Sequence, residues 1–209
     1  MHCLLCLNGD YGEISKYRQI KAADLIIAAD GGGNYMEALG LTPDLIIGDM
    51  DSVATDLIEI FATRGTEVRI FPPEKNYTDA QLALRAAVDR HADEITILGG
   101  IGDRLDHTWS TIMSTLPLAA TGIKISFFHP HQSIYVMTRP ISLVGSPGQI
   151  VSLLALTPVS GVTTHNLQYP LKAAELFPDK PYAVSNVMLK SEASIEITSG
   201  VLMVVHITG

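Results

Sequence analysis

Cysteine is nearly missing from this chain of 209 residues: only Cys3 and Cys6 occur, both inside the apolar opening run His2-Cys3-Leu4-Leu5-Cys6-Leu7. A C-x-x-C pair can serve zinc or redox chemistry, but no second ligand pair follows at zinc spacing, so two buried, inert thiols are expected. Basic residues are scarce too. The 14 Lys and Arg stand against 22 Asp and Glu, a net charge of −8, which argues against a nucleic-acid surface because such a surface needs cations to replace counterions. No apolar run approaches the length of a membrane span, and the opening has neither a basic leader nor an apolar stretch long enough for a signal sequence. A soluble, cytoplasmic protein without membrane or nucleic-acid partners is expected. Internal repeats and low-complexity segments are absent. What remains, 47% apolar and 17% charged residues, describes an ordinary globular chain long enough to bury a real core in one large domain or two modest ones.

Short apolar runs alternate with helix-like segments through the first part of the chain. Strands are predicted at 2–7, 24–29, 44–48, 66–71, 94–99 and 123–128. Helical spacing between them is clearest in Leu105, Trp109, Ile112, Met113 and Leu116, and in the Ala-rich segment 78–91, for which Thr78 is the expected N-cap. Such alternation implies an α/β unit, a parallel sheet covered by helices on both faces. After His129-Pro130-His131 the texture changes to short β-branched runs, Ser133–Met137, Ile150–Leu156, Ile195–Thr198 and Val201–Ile207, separated by Gly, Pro and Ser. These predict a small all-β sandwich or barrel, with one helical turn or two at Leu171–Leu176. The expected domains are 1–131 and 132–209.

Acidic side chains fall just after the apolar runs. Asp30 ends Leu25–Ala29, Asp49 and Asp51 follow Leu45–Gly48, and Asp106 lies shortly beyond Ile95–Leu98. If the runs are parallel strands, these carboxylates gather at the sheet edge where open α/β folds bind ligands. Several carboxylates repel one another unless a hard divalent cation holds them, and Mg²⁺ with phosphate oxygens is the usual solution. The chain therefore points to phosphate chemistry. In extended backbone, Asp49 and Asp51 point to the same side and can ligate one cation or two adjacent ones. An acid-x-acid pair alone fits a solvated turn equally well, and its place directly after an apolar run favours function.

Three more segments carry candidate residues. Asp30-Gly31-Gly32-Gly33-Asn34 is a glycine-rich strand-to-helix turn that matches neither the dinucleotide fingerprint nor the Walker loop, and a tight turn needing positive φ is its plain alternative. Lys75-Asn76-Tyr77-Thr78-Asp79 puts a cation and a carboxylate at a helix entrance, although Asp79 there also suits the helix dipole without any ligand. Gly99 to His107 carries Arg104, Asp103 and Asp106. Arg104 can grip phosphate oxygens, or simply close the loop against an aspartate. Lys75 and Arg104 are the cations available to neutralise a small polyanion such as ATP. His107 reads as a helix-start residue, and His129 and His131 resemble a metal pair by spacing alone.

In their order, these segments resemble the thiamine pyrophosphokinase family. The resemblance rests on Ala28-Ala29-Asp30-Gly31-Gly32, Pro43 to Ser52, Lys75 to Asp79 and Gly102 to His107, with a weaker echo in Asn166 to Leu171 and Val184-Ser185-Asn186. It implies Mg-dependent transfer of pyrophosphate from ATP to the thiamine hydroxyl, giving thiamine diphosphate and AMP. It implies Asp49, Asp51 and Asp79 as Mg²⁺ ligands, and Asp30, Gly31, Gly32, Lys75, Thr78 and Arg104 around the nucleotide. Asp106 would join Arg104 and the three metal ligands in catalysis. Tyr169, Ser185 and Asn186 would meet thiamine in the β domain, and a homodimer with the active site at its interface is implied. The chain departs from the family pattern at Asn76, Asp103, Asn166 and Val187. Two rivals stand beside this resemblance: a haloacid dehalogenase-type phosphatase with Asp49 as nucleophile, and a non-catalytic nucleotide-binding protein.

Overall fold

The computed structural model describes residues 1–209 apart from Lys21, Pro73, Lys75, Gly209 and the side chain of Gln19. It divides into two compact units, Met1–Ser114 with Phe127–Pro130, and Thr115–Ser126 with His131–Gly209. The elements of the first part, in chain order, are β1 (His2–Cys6), β2 (Leu25–Ala29), α1 (Met36–Leu39), β3 (Leu45–Gly48), α2 (Thr55–Thr63), β4 (Glu67–Ile70), α3 (Asp79–Asp89), β5 (Glu94–Leu98), α4 (Leu105–Ala120) and β6 (Lys124–His129). Every strand expected before residue 130 is present, and none of these ends differs by more than one residue, whereas the later run expected at Ile195–Thr198 is shifted to Glu192–Glu196.

Strands β5, β1, β2, β3 and β4 pair side by side in that order, all parallel. The central strands are buried throughout, as in His2–Cys6 and Leu45–Gly48, because helices cover both faces of a parallel sheet. This explains why they read as continuous apolar runs rather than alternating ones. Cys3 and Cys6 lie fully buried within β1 as free thiols. Burial pushes the Cys3 thiol up to about 12 and the Cys6 thiol higher, so neither supplies a thiolate near neutral pH. Strand β4 at the edge carries exposed Glu67, with Arg69 and Arg90 paired to it, and charge at an edge discourages pairing with another chain.

Helix α3 begins with a capping box. The Thr78 hydroxyl accepts the Gln81 N–H at 3.2 Å, while the Gln81 side chain accepts the Thr78 N–H at 3.0 Å. Its buried face, Leu82, Ala83, Leu84, Ala86 and Ala87, is small enough for close approach to a sheet. Helix α4 confirms the expected spacing but not a uniformly buried face: Ile112 is buried, whereas Leu105, Trp109 and Met113 lie exposed.

The second unit is built from β7 (Gln132–Met137), β8 (Ile141–Val144), β9 (Ile150–Ala155), β10 (Val159–His165), β11 (Ala174–Leu176), β12 (Asn186–Val187), β13 (Glu192–Glu196) and β14 (Leu202–Ile207). Antiparallel pairing gives two layers, β12-β9-β14-β7 and β11-β10-β13-β8. Their inward residues, including Leu143, Leu153, Val162, Ile195 and Val204, form one apolar cluster. The chain therefore has the expected fold class, an α/β unit with a parallel sheet followed by a small all-β unit.

The helical turn expected at 171–176 does not form; Ala174–Leu176 is β11. Threonine side chains on β10 capture the backbone that a helix would have used: Thr164 Oγ1 accepts the Leu171 N–H at 2.9 Å and Thr163 Oγ1 accepts that of Ala173 at 3.1 Å. Ala173 then takes φ of +48°, which ends any helical path. A six-residue segment cannot offset the cost of helix nucleation, and pairing with an existing strand wins. Asn166 adopts φ of +60°, and its amide donates to the Glu192 carbonyl at 3.0 Å. Among residues with a side chain, asparagine tolerates this conformation best.

Two stability outcomes follow from these local structures. Thr78→Ala removes the cap of α3 and costs about 1 kcal/mol, measurable as a lowered midpoint in chemical denaturation. His206 is buried, with Nε2 2.9 Å from Gln149 Oε1, and burial lowers its pKa from the ordinary 6.5. The unfolded chain therefore takes up this proton first as pH falls, so the contribution is complete above the unfolded value and is lost below it. Between about pH 7.5 and about pH 5.5, unfolding free energy should fall less in His206→Gln than in the wild type; an equal fall would remove His206 as a cause.

Candidate active site

Strands β2 and β3 are neighbours, with Ala29 opposite Ile47, so the residues that follow them emerge side by side. Asp30 continues directly from β2 into a 3₁₀ turn over Asp30–Tyr35. Positive φ at the glycines is the plain alternative for this turn. Instead Asp30 takes it, at +43°, and Gly32 is required for proximity: a Cβ on it would sit 2.1 Å from the carbonyl oxygen of Cys6. The turn lies directly against β1, and Asp30 is held there almost fully buried.

At the end of β3, Gly48 has the same kind of neighbourhood. A Cβ there would lie 2.9 Å from Asp30 Cβ and 3.2 Å from an Asp79 oxygen, so Asp79, the first residue of α3, joins the strand ends. Asp49 and Asp51 reach the site by a route other than extended backbone. Met50 adopts φ of +64°, the Asp51 N–H donates to Asp49 Oδ1 at 3.3 Å, and the segment is a turn. Tertiary packing decides this, because the Met50 side chain packs against the core cluster of the α/β unit and leaves both aspartates facing outward.

Asp30, Asp49 and Asp51 each offer a carboxylate oxygen, and these oxygens lie within 4.8 Å of one another. Like charges at such separation oppose each other by about 1 to 4 kcal/mol per pair, depending on solvent screening. Among the described residues this is the only trio of potential metal-ligating groups so arranged. The donors are all oxygen, which suits a hard divalent cation rather than zinc or copper. Ser52, passed over in the sequence, supports the arrangement: its N–H donates to Asp30 Oδ1 at 3.3 Å and its hydroxyl to Asp51 Oδ1 at 2.7 Å. Its signal was its position beside the acid-x-acid pair.

The remaining candidates separate into groups. Lys75 lies outside the described residues. Thr78 spends its hydroxyl oxygen on the α3 cap. Arg104 and Asp106 form a two-pronged pair, Nη2 to Oδ2 at 2.6 Å and Nε to Oδ1 at 3.3 Å, with both side chains largely exposed. Hydrogen bonding to Arg104 holds the Asp106 carboxyl below the usual carboxylate range, and Asp106 in turn raises Arg104. His107 is exposed, its Nε2 4.0 Å from the same Asp106, and His129 lies 3.8 Å from Asp10.

In the all-β unit, Tyr169 presents an exposed ring. Asn186 is buried and brackets the Tyr169 backbone, accepting its N–H at 3.0 Å and donating to its carbonyl at 2.7 Å. Its amide therefore orients Tyr169. Ser185, at φ of +57°, is exposed and donates its N–H to Ser152 Oγ at 2.9 Å.

Comparison with known proteins bears on both units. The profile described as thiamin pyrophosphokinase, catalytic domain, matches residues 17–127, and that of the thiamin pyrophosphokinase vitamin B1 binding domain matches residues 139–202. The chain is 24% identical over 188 residues to the thiamine pyrophosphokinase of Bacillus subtilis, covering 88% of this chain and 87% of that protein. It is 23% identical over 221 residues to thiamine pyrophosphokinase 1 of Arabidopsis thaliana, covering 88% and 79%. The crystal structure of the Bacillus subtilis enzyme matches with a TM-score of 0.86 at 21% identity, over the whole of both chains. That of the Candida albicans enzyme matches with a TM-score of 0.78 at 18% identity, over 99% of this chain and 88% of the other. Structural likeness at such identity establishes the fold, and the two profiles, matched in order along one sequence, establish more: the chain belongs to the thiamin pyrophosphokinase family.

Proposed function

We propose that the chain is a thiamine diphosphokinase that transfers the pyrophosphoryl group of ATP to the hydroxyl of thiamine, releasing AMP. The observation that carries this reading is the convergence of Asp30, Asp49 and Asp51 within the unit that matches the catalytic profile. Asp49, Asp51 and Asp79 would hold Mg²⁺, with Asp30 beside them. A cation held there would supply positive charge against the phosphate oxygens.

The chain's own work is mainly positioning. Backbone at Gly31 and Gly32, with Lys75 and Arg104, cradles the phosphates, while Thr78 contributes through the helix it caps. The thiamine oxygen attacks the β-phosphorus in line, the new O–P bond forms, and the bond to the α-phosphate oxygen breaks as AMP leaves. The hydroxyl proton passes to a carboxylate. Asp79 and Asp106 are the two carboxylates proposed to take it. Arg104, hydrogen-bonded to Asp106, is proposed to face the transferring group, where guanidinium geometry suits phosphate oxygens.

Thiamine contacts are assigned to the 132–209 domain. The exposed Tyr169 ring offers a face to the cationic heterocycle, Ser185 lines the same subsite, and Asn186 fixes the tyrosine backbone. A homodimer, with the active site completed at its interface, fits the exposed stripe of Leu105, Trp109 and Met113 on α4, which are 75%, 49% and 39% exposed. A cytoplasmic location is part of this proposal, and among the described residues no helix is long and apolar enough to cross a membrane.

The reaction is tested by incubating the protein with ATP, Mg²⁺ and thiamine and separating the nucleotides. AMP formed only when thiamine is present supports the proposal. ADP would identify a one-phosphate kinase, and an aspartyl-phosphate on Asp49 would identify a phosphatase. Asp49→Asn should lower AMP formation by at least about 100-fold, the scale of losing several kcal/mol of charge stabilisation at a metal site. Its thermal melt should stay in place; a near-normal rate would remove Asp49 from the metal centre.

A further inference from the structure

We infer that Asn34 is a positioning residue for the metal centre, locking the Asp49–Asp51 turn to the Asp30 turn; this inference rests on the cation-binding role proposed above. Asn34 sits on the same 3₁₀ turn as Asp30. Its amide reaches across to the segment that follows the acid-x-acid pair, where Nδ2 donates to the Ser52 carbonyl at 2.7 Å and Oδ1 accepts the Ala54 N–H at 3.0 Å. Both partners are main-chain groups of fixed polarity, so the amide can face only one way. The two bonds flank Val53, a buried residue whose Cγ2 lies 3.0 Å from a Cβ position built on Gly33. One neutral side chain therefore fastens the far end of the acidic turn at two points.

Asp30 at φ of +43° and Met50 at φ of +64° both occupy a backbone region unfavourable to side chains, and such residues persist only where their surroundings over-determine them. The near end of the turn is fixed by β3, whose last residue accepts the Phe71 N–H at 2.8 Å. At the far end, the Ser52 bonds go to Asp30 and Asp51 themselves, so they orient carboxylates rather than the backbone that carries them. The Asn34 bonds use no carboxylate. They keep the turn in place whether or not the aspartates are engaged, which is the task of groups that orient metal ligands from behind.

The test compares wild type with Asn34→Ala and Asn34→Gln, using Mn²⁺ alone as probe and following free Mn²⁺ by electron paramagnetic resonance. Asn34→Ala should weaken Mn²⁺ binding about 10-fold or more. It should raise the Mg²⁺ concentration for half-maximal AMP formation, with kcat at saturating Mg²⁺ close to that of wild type. Thermal melts show that the fold is retained. If Asn34→Ala does not fold, Asn34→Gln carries the test, because it keeps the amide and displaces it by one methylene. Wild-type Mn²⁺ affinity in a folded variant overturns the inference while leaving the proposed reaction standing. A wild-type protein that neither binds Mn²⁺ nor forms AMP overturns both.

Discussion

Mutual repulsion among carboxylates is the constraint around which the α/β unit is arranged. Asp30, Asp49 and Asp51 bring their oxygens within 4.8 Å of one another, with Asp79 against the same strand end. No sequence gathers like charges without a structure stiff enough to hold them. The stiffness here comes from the parallel sheet: β2 and β3 are flanked on both sides by other strands, and their carboxyl ends cannot drift apart without breaking a ladder. The glycines at 32 and 48 then let backbone and carboxylates approach more closely than any side chain would permit. Rigidity and proximity thus have one source, the register of adjacent buried strands.

Among the described residues, neutral hydrogen bonds brace the acidic turn. Ser52 donates to two of the aspartates, and Asn34 braces the turn without touching them. Arg104 is paired with Asp106 at two points. In the all-β unit a buried amide likewise braces the backbone. Asn186 is buried and spends its amide on the backbone, so that Tyr169 can stand exposed.

Much of this was legible in the residues. Continuous apolar runs marked the parallel strands to within a residue, because strands buried on both faces have no polar positions to blur their ends. The Thr78 cap was legible because a capping box is a local pattern. The helix expected at 171–176 failed for the complementary reason: Thr163 and Thr164, which redirect that backbone, belong to another strand. Asn34 and Ser52 carried little signal, since an asparagine or a serine in a loop is ordinary until its partners are known. Thr78 and Asn186 were assigned to ligands from family resemblance, and their hydrogen bonds show them occupied with the protein's own backbone.

By itself the sequence determined which segments of the α/β unit are strands, that the acidic residues follow them, and that one unit is α/β and the other all-β. These are properties of short-range spacing, and short-range spacing is written directly in the chain. Only the tertiary structure decided how Asp49 and Asp51 come together, through a left-handed Met50 rather than an extended strand, and that Asp106 pairs with Arg104 while Asp30, Asp49 and Asp51 form the trio. The Met50 turn depends on packing against residues far away in sequence, where competition among packing, backbone strain and charge is settled by the whole unit rather than by any one segment.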